Sequence, residues 1–228
     1  MSDAAASGAL PCDPPQGSAA ALVVVHADDE LLVVDKPAGL LCVPGRADLA
    51  FDALSLRAQA RFPDALIVHR LDMATSGLVL FARGKIMQRL LSIAFAQRQV
   101  EKRYVAVVHG LLAHDSGAIE LPLSADWEHR PRQRVDPVHG KASLTHYRVL
   151  MRDPLAQTTR LELQPLTGRS HQLRVHLQAI DHAIVGDPLY GNPLADPAPA
   201  RLMLHACSLR FRHPLGRGFA EFNSAVPF

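Results

Sequence analysis

The string HRLDMATSG occupies residues 69–77, and the reading of the chain turns on it. Ile67 and Val68 lead into it and the apolar run 78–81 leads out, so the pattern predicts a strand, a polar turn and a second strand. Asp72 is therefore expected on a loop held between two buried elements. A carboxylate placed that way suits a reaction centre, because the scaffold fixes its position and shields it partly from water. The same residues also make a good turn, since an Asp side chain ahead of Thr75, Ser76 and Gly77 can accept backbone N–H groups. Residue type alone does not choose between the two.

Five further blocks follow a common order along the chain: DKPAGLLCVPG (residues 35–45), KRYVAVVHG (102–110), LTGRSHQLRVH (166–176), GDPLYG (186–191) and RLMLHA (201–206). With HRLDMATSG they resemble the motif blocks of the RluA-type RNA pseudouridine synthases, and the likeness extends from about residue 22 to the C-terminus. It implies an α+β catalytic fold, a long mixed, mostly antiparallel sheet with flanking helices and a central cleft. The activity implied is isomerisation of uridines in structured RNA loops, in ribosomal RNA, transfer RNA or both. By position in the motifs, Asp72 is the catalytic carboxylate, Tyr104 lies over the target uracil and Leu202 packs on the ring's other side. Asp72 must be ionised to act, and a cleft that excludes water disfavours that charge unless a cation accompanies it. The resemblance assigns this part to Arg169, whose planar donors can hold both carboxylate oxygens.

Arg70, next to Asp72, is expected either to fill the space left by a flipped base or hold a phosphate, or to be a structural ion-pair residue. Lys36 is open in the same way, as a support or phosphate contact near the cleft, which the resemblance implies, or as a surface charge beside a turn. The segment 127–141 holds Trp127, Arg130, Arg132, Arg134 and Lys141. It is too polar and Pro-rich for a regular element, and so predicts a long exposed loop that grips RNA through phosphates and an aromatic stack.

Composition agrees with such a partner. The formal net charge is only +2, but residues 1–35 carry six acids and no Lys or Arg. The remaining 193 residues hold 24 basic against 16 acidic groups, a net of +8 that favours a polyanion. No apolar run is long enough to span a membrane and no secretory leader is visible, so the default expectation is a cytoplasmic protein. Cys12, Cys42 and Cys207 fit neither a disulfide framework nor a zinc site. His171 and His176 are five apart, off the i+4 spacing that lets two histidines share a metal on one helix face. No metal and no cofactor are expected, and a monomer is.

Residues 1–20, rich in Ala, Ser, Gly and Pro, read as a disordered tail, with one catalytic domain over 21–228 and no separate N-terminal RNA-binding domain. Helices are expected at 52–62, with Asp52 as N-cap, at 85–98, with Ile86, Leu90, Ile93 and Ala94 on one inward face and Met87 and Phe95 as core contacts, and from 170 onward. Strands outnumber helices and come as hairpin-like neighbours, which predicts an α+β domain. Two readings from other classes stand beside the synthase: an RNA-binding module without catalysis, and a glycosidase-like hydrolase, which needs a second nearby acid that no motif supplies.

Overall fold

The computed structural model describes residues 21–45, 52–191 and 201–228. The expected tail and Cys12 lie outside the described residues. In chain order the elements are β1 (Val23–Ala27), β2 (Leu31–Lys36), α1 (Leu54–Arg61), β3 (Ala65–Ile67), β4 (Ser76–Arg83), α2 (Gly84–Ala96), β5 (Val100–His109), β6 (Ser116–Glu120), β7 (Leu123–Ala125), β8 (Gln133–Val135), β9 (Leu144–Asp153), β10 (Thr158–Pro165), α3 (Gln172–Ala179), β11 (Leu204–Arg212) and β12 (Phe219–Asn223). One sheet runs β1-β2-β4-β11-β5-β10-β9-β6, with β3 beside β4 and β12 beside β11. Every pairing in it is antiparallel except β4 with β11. This is the expected α+β class.

The burial of β2 and β4 explains their unbroken apolar sequences, which a strand covered on one side only would not need. Leu31, Val33, Leu78 and Leu80 pack with Met87 and Leu91 of α2, whereas Leu32, Val34, Val79 and Phe81 pack with Leu54 and Ala58 of α1. In the other half of the sheet, Leu161, Leu163, Ala106 and Leu204 pack with Leu173 and Leu177 of α3. Deleting one of these side chains down to Ala, Leu177 for example, is expected to cost about 2–5 kcal/mol. Tyr104 touches both the α1 cluster and the α3 cluster, so it marks the line where the halves meet.

That line is thinly stitched. The β4–β11 contact has only two register pairs, His205 with Ser76 and Ala206 with Gly77. Gly77 has φ +115°, and a Cβ there would stand 2.3 Å from the carbonyl oxygen of Ala206, so only glycine lets the two backbones approach. A chain of polar groups, buried at Ser76 and His205, reinforces the seam. The Arg201 guanidinium donates to Ser76 Oγ. Ser76 then donates to His205 Nδ1 at 2.8 Å, His205 Nε2 donates to Ser224 Oγ at 3.0 Å, and Ser224 donates to Asp35. A cation that can only donate at one end and a carboxylate that accepts at the other fix the direction of every bond between them.

Three local expectations are corrected. The N-cap of α1 is Ala53, not Asp52; Asp52 pairs with Arg57 instead, and the helix's first free N–H groups go to the carbonyls of Leu41 and Cys42. On α2 the buried residues are Met87, Leu91 and Ala94, while Ile86 is 80% exposed. The stretch 127–141, read as one long loop, contains the strand β8, which forms a short hairpin with β7 just before it; Leu123 and Val135 of the hairpin pack with Val175 of α3 and with Tyr190.

Candidate active site

Asp72 sits in the loop joining β3 to β4, and the loop is fastened residue by residue. His69 Nε2 accepts the Leu80 N–H at 2.9 Å while its ring stacks on Phe95, with centroids 4.6 Å apart. Leu71 is buried in the α1 cluster and its N–H meets Cys42 Sγ at 3.2 Å. The Met73 carbonyl receives the Gly39 N–H at 2.8 Å and Lys36 Nζ at 2.9 Å, and the Thr75 N–H closes a turn onto the Asp72 carbonyl. With its neighbours anchored inward, Asp72 is left at the wall of a cavity of about 1030 Å³, its side chain 26% exposed.

Tyr104, Leu204, Arg70, Arg169, His171 and Arg174 line the same cavity. Asp72 is the one acidic side chain lining it among the described residues. Burial, and secondarily the charge of Asp72, push the Tyr104 phenol upward, so it stays protonated at neutral pH.

The cation at Asp72 is Arg174. Its Nη1 lies 3.3 Å from Asp72 Oδ2, while Nε and Nη2 each hold Asp187 at 2.7 Å. Arg169, the expected partner, directs its Nε to the Ala142 carbonyl at 3.3 Å and makes no contact with Asp72. The reason is local. Arg169 belongs to the exposed turn before α3, whereas residues 172–177 of α3 are all buried, so a guanidinium at 174 must be paired. The turn is set by Gln172, whose Oε1 accepts from Thr167 Oγ1 and the Arg169 N–H, and whose Nε2 donates to the Leu144 carbonyl and Thr145 Oγ1.

Asp187, in the block GDPLYG, is held by the N–H groups of Leu189 and Tyr190 as well as by Arg174. Tyr190 Oη accepts the Gln133 N–H and therefore donates to His171 Nδ1, both at 2.7 Å. That leaves the His171 proton on Nε2, 3.9 Å from Asp72 Oδ1. Burial lowers the His171 pKa, which favours this neutral form. Arg174, His171, Asp187 and Tyr190 were not foreseen as site residues. The readable signal was an Arg flanked by Leu173 and Val175 on a helix with an apolar stripe, together with the acid of GDPLYG.

Two expected substrate contacts do not reach the cavity. Lys36 is completely buried and spends its three donors on the carbonyls of Pro37, Leu40 and Met73, at 2.8–2.9 Å. It ties the 37–40 turn to the Asp72 loop and touches no substrate space. Burial lowers its pKa to about 8. Leu202 is 2% exposed inside the α3 cluster, because it precedes β11 and turns into the core; Leu204, at the start of the strand, lines the cavity instead.

Arg70 faces the cavity and pairs with no acid among the described residues. Arg130 stacks on Trp127 at 3.8 Å, with Trp127 itself 69% exposed, and Arg132 lies over the Tyr190 ring. Arg134 is an exposed residue of β8. These three stand on the hairpin beside the cavity rather than in its wall. No group of His, Cys, Asp and Glu among the described residues is arranged to hold a metal ion, and none of the helices there is long and apolar enough to cross a membrane.

The family model described as RNA pseudouridylate synthase matches residues 30–179. The dual-specificity RNA pseudouridine synthase RluA of Yersinia pestis is 48% identical over 207 residues, covering 91% of this chain and 97% of that protein. The RluA of Pasteurella multocida is 45% identical, covering 91% and 94%. Among solved structures, human RNA Pseudouridylate Synthase Domain Containing 1 superposes with a TM-score of 0.79 at 32% identity, covering 94% of this chain and 87% of that one. Human RNA Pseudouridylate Synthase Domain Containing 4 does so with 0.71 at 26%, covering 90% and 88%. A seam carrying one carboxylate, a buried Arg held by Asp187 and a protonated Tyr is thus found in a chain that belongs to the RluA family of RNA pseudouridine synthases.

Proposed function

We propose that the protein converts uridines in structured loops of ribosomal RNA, transfer RNA or both to pseudouridine, with Asp72 as the essential carboxylate. One observation carries the assignment of Asp72: it is the one acid lining the cavity among the described residues, and Arg174 stands 3.3 Å from it. The glycosidic bond from ribose to N1 of uracil breaks, the base turns in place, and its C5 bonds to the anomeric carbon. The proton on C5 leaves and N1 gains one, so the product is an isomer of the substrate. No electrons or groups are exchanged with another molecule, and the proposal includes no cofactor.

Asp72 starts the reaction in its ionised form, either by attacking the anomeric carbon or by taking a ribose proton. Arg174 supports that charge, and because Asp187 and the core fix it beforehand, no reorganisation is needed when substrate arrives. Tyr104, as a neutral phenol, stacks on the uracil, with Leu204 beside it on the neighbouring strand β11. Reaching this pocket requires the base to leave its stack, at a cost of a few kcal/mol that is least in loops. Arg70 stands where it can meet the vacated space or an adjacent phosphate, and Arg130, Arg132 and Arg134 present the hairpin to an RNA stem. Residues 21–228 are proposed to act as one catalytic domain and as a monomer.

The test is release of tritium from RNA labelled at C5 of uracil, with ribosomal and transfer RNA transcripts assayed separately. Wild type is expected to release tritium from at least one class, and Asp72→Asn from neither. Binding of both without release by wild type would assign the chain as an RNA-binding module instead.

A further inference from the structure

Among the described residues, five Lys and Arg side chains line the cavity, and two of them have protein partners there. Arg174 is held by Asp187 and Asp72, and Arg169 by the Ala142 carbonyl. Arg70, Arg98 and Lys102 have neither an acid nor a hydrogen-bond acceptor among the described residues. For Arg70 and Arg98 this is unremarkable, since both are exposed and hydrated. Lys102 is different. It is half-buried on β5, and Nζ lies against the backbone of the 166–170 turn, 3.8 Å from where a Cβ on Gly168 would stand. An ammonium withdrawn from water without a counter-ion is costly, and a fold ordinarily pairs it or excludes it. Burial, and secondarily the like charge of Arg98, drives the Lys102 pKa down.

Lys102 and Tyr104 are two residues apart on one strand, so both project from the same side, about 6.6 Å apart along the strand. That spacing is of the order of the distance between a nucleoside's base and its own phosphate. Arg98 joins them from the turn that ends α2, where the backbone is left-handed with φ +60°.

We infer that Lys102, with Arg98 beside it, forms a phosphate subsite that takes a backbone phosphate of the nucleotide whose base rests on Tyr104. This assignment deepens the proposed function and rests on it. RNA entering the cavity brings the counter-ion that Lys102 lacks, and the ammonium then gains a charge-assisted hydrogen bond in a partly dry site. Arg70, on the Asp72 loop, is left for a neighbouring phosphate.

The experiment uses the full chain and a stem-loop RNA oligonucleotide that wild type converts. Dissociation constants are measured at several KCl concentrations for wild type, Lys102→Met, Lys102→Arg, Arg98→Asn and the surface control Lys85→Gln, with folding checked by thermal melting. Lys102→Met is expected to weaken binding about tenfold. It should also make the dependence of log Kd on log [KCl] shallower by about 0.7–0.9, as for one lost phosphate contact. Lys102→Arg restores both, whereas in Lys102→Met KM rises more than kcat falls. Arg98→Asn, whose new side chain tolerates the left-handed backbone, gives a smaller change in the same direction and covers the case in which Lys102→Met does not fold. A methylphosphonate, which removes the charge of one phosphate, weakens wild type at one position next to the target and does not weaken Lys102→Met further there. If wild type converts the oligonucleotide but Lys102→Met and Arg98→Asn keep its salt dependence and affinity, the subsite is wrong and the proposed function stands. If wild type converts no stem-loop, it is the proposed function that fails.

Discussion

Arg174 reaches Asp72, 3.3 Å away, with the one guanidinium nitrogen that Asp187 does not hold. The buried ion pair with Asp187 is the stronger of the two, with both contacts at 2.7 Å and the Asp187 side chain 1% exposed. Asp72 therefore receives a cation whose position is decided elsewhere, on the 186–191 turn.

Asp187→Asn follows from that division of labour. It removes the charge that fixes Arg174 while leaving the Leu189 and Tyr190 N–H groups an acceptor. The expected result is a fall in kcat of about 10–100-fold, the value of one hydrogen bond to a charged group, with KM for RNA changed much less. Steady-state kinetics on a modified RNA measures the split. An equal rise in KM with kcat intact would mean that Arg174 serves substrate binding instead.

Lys36 gives a prediction of the opposite kind, on the fold. Lys36→Met leaves the carbonyls of Pro37 and Leu40 without their donor inside the protein and that of Met73 with the Gly39 N–H alone. Stability to urea is expected to fall by about 3–5 kcal/mol. Activity at permissive temperature falls as well, because Met73 is next to Asp72. A variant as stable as wild type would show that the ammonium is dispensable to the loop.

Three histidines drawn into the fold predict acid lability. His69, His176 and His205 all have pKa values lowered by burial, His69 to about 3. The unfolded chain binds protons at these sites below about pH 6.5 while the folded protein does not, so stability falls as the pH drops through that value. Each such histidine contributes about 1.4 kcal/mol per pH unit until its folded pKa is reached, which for His69 leaves a window from 6.5 to about 3. Urea titrations at pH 7.5 and 5.5 measure the slope. His69→Gln, which keeps an acceptor for the Leu80 N–H, is expected to flatten it; an unchanged slope would mean that His69 is not the proton-refusing group.

Much of this was legible in residue order. Alternation and double-sided apolar runs predicted the strands and the α+β class, and the block around residues 69–77 put Asp72 on a loop between strands. What was not legible depends on distances across the fold. Met87/Leu91/Ala94 and Ile86/Leu90/Ile93 are both apolar stripes, and only the packing of α2 on β2 and β4 selects the first. Leu202 and Leu204 have the same parity and type, and the start of β11 decides which one lines the cavity. Lys36 reads equally as a surface charge or as a support beside the cleft until three carbonyls are found around it. Arg169 and Arg174 lie in one motif, and burial of α3 separates the exposed cation from the paired one. The strand β12, opened by an exposed Phe219, carries little apolar signal of its own.

The most direct test of the account is the single-turnover rate of Asp72→Asn, measured with enzyme in excess over an RNA that wild type converts, alongside its Kd for the same RNA. Asn keeps the size of the side chain and removes the ionised carboxylate. The account predicts a rate reduced by at least about 10⁴-fold, more than 5 kcal/mol of barrier, with a Kd within a few-fold of wild type. A rate within tenfold of wild type would contradict it and move the chemistry away from Asp72.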